Sequence, residues 1–72
     1  MNKEEFIEKF TDVLQTEEEL KEDTVLEDLD EWDSLSKMAT MAFFDKELGI
    51  KVSFNEIGEF KTVGDVIQKA GI

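Results

Sequence analysis

Between Asp33 and Gly49 the sequence predicts a single helix with apolar residues on two opposite sides. Asp33 or Ser34 can cap its first N–H groups, and Gly49 stands where a left-handed residue commonly ends a helix. At about 100° per residue, one side carries Thr40, Met41, Phe43, Phe44 and Leu48. The opposite side carries Leu35, Met38, Ala39 and Ala42. The domain's core can cover one side, whereas the other needs a second internal helix or a partner protein.

Chain length limits the kind of domain that can contain this helix. The chain has 72 residues, near the size at which a hydrophobic core only just outweighs the entropy of the chain. We therefore expect one domain over residues 1–72, without a large buried active site. The sequence has no Cys, His or Arg, which excludes a Cys–His or Ser–His nucleophile pair and a guanidinium clamp for phosphate. We predict that the protein is not an enzyme, although a pair of carboxylates remains available for acid–base chemistry.

Apolar residues occur only in short runs. None approaches the roughly 18 residues of a membrane-spanning helix, so we expect no membrane insertion. The first residues, Met-Asn-Lys-Glu-Glu, lack the apolar core of a signal peptide. The sequence therefore predicts a cytoplasmic protein.

Negative charge is concentrated before the predicted helix. The chain carries a formal charge of −11, and residues 17–33 contain ten carboxylates against the single Lys21. Such a surface repels nucleic acid and attracts a basic partner protein, so we expect no nucleic acid partner. The simpler interpretation is a solvated acidic loop.

Helical periodicity continues on both sides of the acidic segment. Asn2 and Glu5 have capping-box spacing, and residues 3–15 form an amphipathic pattern. Residues 21–33 are expected to form a loop whose apolar side chains reach the core. These side chains are Val25, Leu26, Leu29 and Trp32.

Two further helices are predicted after Gly49. Ser53 can cap a short third helix carrying Phe54, Ile57 and Phe60. Thr62 and Asp65 can cap a last helix that ends at Gly71. The predicted fold is all-α: a small four-helix bundle with three main helices, a short third helix, and a long loop between helices 1 and 2.

The triplet Asp33-Ser34-Leu35 resembles the attachment motif of the acyl carrier protein family. The loop Asp23-Thr24-Val25-Leu26-Glu27-Asp28-Leu29 is similar to the loop of that family before the motif. The stretch from Ile50-Lys51-Val52 through Lys61-Thr62-Val63-Gly64-Asp65-Val66 is similar to its third and fourth helices. About two-thirds of the chain takes part in this resemblance.

Membership of this family implies a specific role for Ser34. Its hydroxyl would carry 4′-phosphopantetheine, whose thiol holds acyl intermediates as thioesters, as in fatty acid biosynthesis. The implied partners are a phosphopantetheinyl transferase, acyl- or aminoacyl-loading enzymes, and acyltransferases or synthases. They would dock on the acidic loop and on four residues of the second helix, with the carrier as a monomer. These residues are Leu35, Met38, Ala39 and Ala42.

The sequence departs from the fatty-acid carriers around the motif. Ser36, Lys37 and Ala39 stand where acids are common in those carriers, and Lys46 replaces another. Trp32 stands where many of them have a small residue, and one extra residue lies between Leu29 and Asp33. These differences favour a specialised stand-alone carrier with dedicated partners. An aminoacyl or peptidyl carrier is an alternative.

Two other classes of protein remain as alternatives. A calcium-binding module would use the positions of Asp28, Asp30, Trp32 and Asp33, but an EF-hand loop needs an oxygen ligand where Trp32 stands and a glycine where Asp33 stands. An acidic interaction adaptor without a prosthetic group would depend on the charge of residues 17–33 alone.

Overall fold

The computed structural model describes all 72 residues and contains four helices. Helix α1 spans Lys3–Leu14, α2 begins at Ser34, α3 spans Phe54–Glu59 and α4 spans Val63–Ala70. Helix α2 is α-helical over Ser34–Phe43 and continues as a π-helical turn over Phe44–Leu48. No strand is present, so the predicted all-α fold with a short third helix is confirmed.

Side-chain caps fix the beginnings of the helices. The Glu5 N–H donates to Asn2 Oδ1, and the Glu56 N–H donates to Ser53 Oγ, as the spacing of these residues predicts. At α4, Thr62 and Asp65 form a complete capping box. The N–H groups of Lys61 and Thr62 both donate to Asp65 Oδ2, which lowers the pKa of Asp65 from its ordinary value of 3.8.

The core is built from one face of each helix and from the long loop. Helix α1 contributes Phe6 and Phe10, which contact Phe43, Phe44 and Trp32 through aromatic pairs. Thirteen hydrophobic residues are buried in total. They are Phe6, Phe10, Leu14, Leu20, Leu26, Leu29, Phe43, Phe44, Val52, Ile57, Val63, Val66 and Ile67.

The loop between α1 and α2 is fastened to the start of α4 by backbone hydrogen bonds. The Leu26 N–H donates to Lys61 O at 2.8 Å, and the Gly64 N–H donates to Glu22 O at 2.8 Å. A Cβ atom on Gly64 would meet that same carbonyl oxygen at 3.0 Å, so this close approach favours glycine. Within the loop, Leu26–Asp28 form one 3₁₀ turn.

Three of the four apolar loop side chains pack as predicted. Leu26 and Leu29 are buried, and Trp32 packs against the core while partly exposed. The prediction for Val25 is wrong, because its side chain is exposed. Its backbone pairs instead with Thr62 in an isolated antiparallel bridge, and this pairing turns the side chain outward. Phe54, predicted in the short third helix with Ile57 and Phe60, is 41% exposed.

None of the helices has the length and apolar content that a membrane crossing requires.

Candidate attachment site

Ser34 is the first residue of α2 and its side chain is exposed. Its hydroxyl makes no hydrogen bond to another part of the protein. The residue stands where the loop ends and the helix begins. A group attached to its oxygen would therefore project into solvent without displacing a contact of the fold.

The helix cap next to Ser34 is formed by Asp33 and Ser36. Asp33 is the N-cap residue, and its Oδ1 accepts from the Ser36 N–H at 2.9 Å. In return, Ser36 Oγ accepts from the Asp33 N–H at 2.9 Å and donates to Asp33 O at 3.1 Å. Of the two caps considered from the sequence, Ser34 is the wrong one. Its hydroxyl has no role in holding the helix start.

Ser36 is the residue of this site that sequence reasoning missed. It is 7% exposed, and its backbone oxygen accepts from the buried Thr40 hydroxyl at 2.8 Å. The signal was the spacing of Asp33 and Ser36, which is that of a capping box with serine in place of the usual Glu or Gln.

Backbone donors remain free beside the Ser34 hydroxyl. The first hydrogen bond within α2 runs from the Lys37 N–H to Asp33 O, and the Ser36 N–H is taken by the cap. The N–H groups of Ser34 and Leu35 have no partner in the protein. Free N–H groups and the helix dipole together favour an anion at this end of the helix.

A lysine and a tryptophan pack together next to these donors. The Lys37 Nζ lies 5.7 Å from the centre of the Trp32 ring, a cation–π distance. The ring also makes an edge-to-face pair with the buried Phe10, at 6.3 Å and 67°. Trp32 therefore connects the core to the surface immediately before Ser34.

The second apolar stripe of α2 lies in solvent. Leu35 is 78% exposed and Met38 is 55% exposed, and Ala39 and Ala42 are exposed as well. The long loop does not cover these residues. The structure thus brings Ser34 and the four predicted docking residues together on the exposed side of one helix.

Open clefts lie on both sides of the exposed stripe. One, of about 370 Å³, runs between the end of α1 and the start of α2 past Leu35 and Ala39. Glu31 also lines it, and the buried Oε1 of this residue has no hydrogen-bond partner. The other, of about 290 Å³, reaches Met38 and Ala42. Both are open to solvent.

The acidic side chains of residues 17–33 lie mostly in solvent and do not point toward a common site. No group of three or more Asp or Glu side chains is arranged to hold a metal ion. One ion pair ties the segment to α1, between Lys3 and Glu22 at 3.2 Å.

Compared with models of known protein families, with curated proteins and with solved structures, the chain has no significant match.

Proposed function

We propose that the protein is a carrier that bears 4′-phosphopantetheine on Ser34 and presents the attached acyl group to partner enzymes. The observation that carries this proposal is the state of the Ser34 hydroxyl. It is exposed, makes no hydrogen bond in the fold, and stands at a helix start with two free N–H groups. These conditions suit a phosphodiester, because the anion gains donors and the fold loses no contact.

The different roles of Ser34 and Ser36 support the same proposal. Asp33 and Ser36 hold the first turn of α2 by themselves. Ser34 is therefore free to be modified while the rigid turn fixes the position from which the arm starts. The arm supplies the thiol for thioester formation, which this cysteine-free chain lacks.

Partner enzymes would meet the exposed stripe beside Ser34. A surface with Leu35 and Met38 largely in solvent is apolar enough to be buried in a complex. The acidic loop lies before it in sequence and would attract basic partner surfaces. We propose a phosphopantetheinyl transferase and acyl- or aminoacyl-loading enzymes as the partners.

Two classes of cargo are compatible with an arm on Ser34, namely acyl groups and aminoacyl or peptidyl groups. An aminoacyl or peptidyl carrier would use Ser34 in the same way. The class of attached group is best found by isolating the loaded protein from cells and measuring the mass that it carries.

Incubation with coenzyme A and a phosphopantetheinyl transferase tests the proposal. We expect the intact mass of the wild-type protein to rise by one phosphopantetheine, and that of Ser34→Ala to stay unchanged. Ser36→Ala is the matched control, since it removes a neighbouring serine hydroxyl and should still be modified. A wild-type protein that several transferases leave unmodified would favour the acidic adaptor without a prosthetic group.

A further inference from the structure

We infer that Lys37 is the positioning residue for the phosphodiester on Ser34: its ammonium, held over the Trp32 ring, pairs with the anion of the attached group. This inference rests on the proposed function, and it assigns to Lys37 a role that the attachment motif does not include. It follows from the direction of the side chain, the charges around it and its lack of another partner.

Helix geometry places the Lys37 side chain near Ser34. The two residues are three positions apart in α2, which puts their Cβ atoms about 5–6 Å apart on the same side of the helix. Side chains in a helix lean toward its N-terminus, so that of Lys37 leans toward Ser34. The contact with Trp32 fits this direction, because Trp32 lies just before the helix.

The charges around Ser34 favour a nearby cation. Asp30, Glu31 and Asp33 precede the serine, and Asp33 keeps its carboxylate at the helix start. A phosphodiester would add a further negative charge to this surface and be repelled by it. Lys37 is the only cation between Lys21 and Lys46.

No carboxylate forms an ion pair with Lys37. The four ion pairs of the protein involve Lys3, Lys9, Lys51 and Lys69. Lys37 instead contacts an aromatic ring and is partly buried, so some of its side-chain freedom is already lost before an anion arrives. A cation in this place is also opposed by the helix dipole, and a bound anion would relieve that repulsion.

The test is the change in melting temperature on modification, holo minus apo, measured for four proteins. They are the wild type, Lys37→Gln, Lys37→Arg and Lys46→Gln. Subtracting the apo value removes whatever the substitution does to the unmodified fold. Modified and unmodified protein are separated by chromatography and identified by mass, so a variant that is modified slowly can still be measured. Lys46→Gln is the matched control, because it removes the same charge from α2 at a position about 18 Å from Ser34 along the helix axis.

For Lys37→Gln we expect the change in melting temperature on modification to be about 2–6 °C more negative than in the wild type at about 0.1 M salt. The difference should shrink at about 1 M salt, where the pair is screened. Lys37→Arg, which keeps the charge, and Lys46→Gln should behave as the wild type. Equal changes in Lys37→Gln and Lys46→Gln would overturn the role of Lys37 while leaving the carrier function in place. A wild type that gains no mass would overturn both.

Discussion

Two serines that lie two positions apart have opposite roles at the start of α2. Ser36 is buried and takes part in the cap through its hydroxyl and its backbone N–H. Ser34 is exposed and takes part in no such bond. The difference follows from helix position: the N-cap carboxylate of Asp33 reaches the third residue of the helix, which leaves the first residue free.

Alanine substitutions at the two serines should therefore differ in their effect on stability. Ser34→Ala should change the free energy of unfolding by less than about 0.5 kcal/mol, because no contact is lost. Ser36→Ala should lower it by about 0.5–2 kcal/mol, because the Asp33 N–H loses its acceptor. Urea unfolding of both variants measures these changes in the free energy of unfolding. A larger loss for Ser34→Ala would show that its hydroxyl caps the helix after all.

At the scale of one element, helix α2 has one side that packs in the core and an opposite side that is exposed to solvent. Phe44 is completely buried, whereas Met38 is 55% exposed. The apolar pattern alone predicted both sides of the helix. It did not settle whether the long loop covers the second side, since that depends on the path of the loop. The loop is fastened to α4, away from this stripe.

Substitutions on the two sides of α2 test this assignment. Phe44→Ala should cost about 3–5 kcal/mol, enough to unfold so small a domain. Met38→Asp should leave the melting temperature nearly unchanged yet slow modification or loading by partner enzymes, because a charge enters an apolar interface. Thermal unfolding monitored by circular dichroism compares the stability of the two variants. Similar loss of structure in both would contradict a free side at Met38.

The capping box at the start of α4 should make the stability of the protein depend on pH. The pKa of Asp65 is lowered by the N–H groups of Lys61 and Thr62, so its ionised form is favoured in the folded protein. The resulting stabilisation is fully present above the unfolded pKa near 3.8 and is lost as the pH falls through the folded pKa. Asp65→Ala should thus melt below the wild type at pH 7, and the gap should narrow below about pH 3.8. A gap that is the same at pH 7 and in acid would argue against this cap.

At the scale of the whole molecule, the fold was predictable because its signals are local. Capping residues and apolar periodicity mark each helix within a few residues, and the buried Phe6 and Phe10 follow from the spacing in α1. Val25 was misplaced because its exposure depends on a backbone bridge to Thr62, 37 positions away. The role of Ser36 was missed because either of two adjacent residues could begin α2. Such choices depend on tertiary contacts that a local pattern does not contain.

The net charge of −11 should also act on the molecule as a whole. The protein has four ion pairs, and most of its carboxylates face solvent without a cation. Repulsion among them should be strongest at low ionic strength. We expect the melting temperature to rise between about 0.01 and 0.5 M sodium chloride. A melting temperature that does not respond to salt would mean that the carboxylates lie far enough apart to avoid this repulsion.

The central claim is that Ser34 alone carries the prosthetic group. Trypsin cleaves after lysine, so one peptide, Glu22–Lys37, contains both Ser34 and Ser36. Fragmentation of this peptide by mass spectrometry, after treatment with coenzyme A and a phosphopantetheinyl transferase, locates the added mass between the two serines. We predict that the mass lies on Ser34, whose hydroxyl is exposed and free. Added mass on Ser36, or an unmodified peptide, would contradict the account.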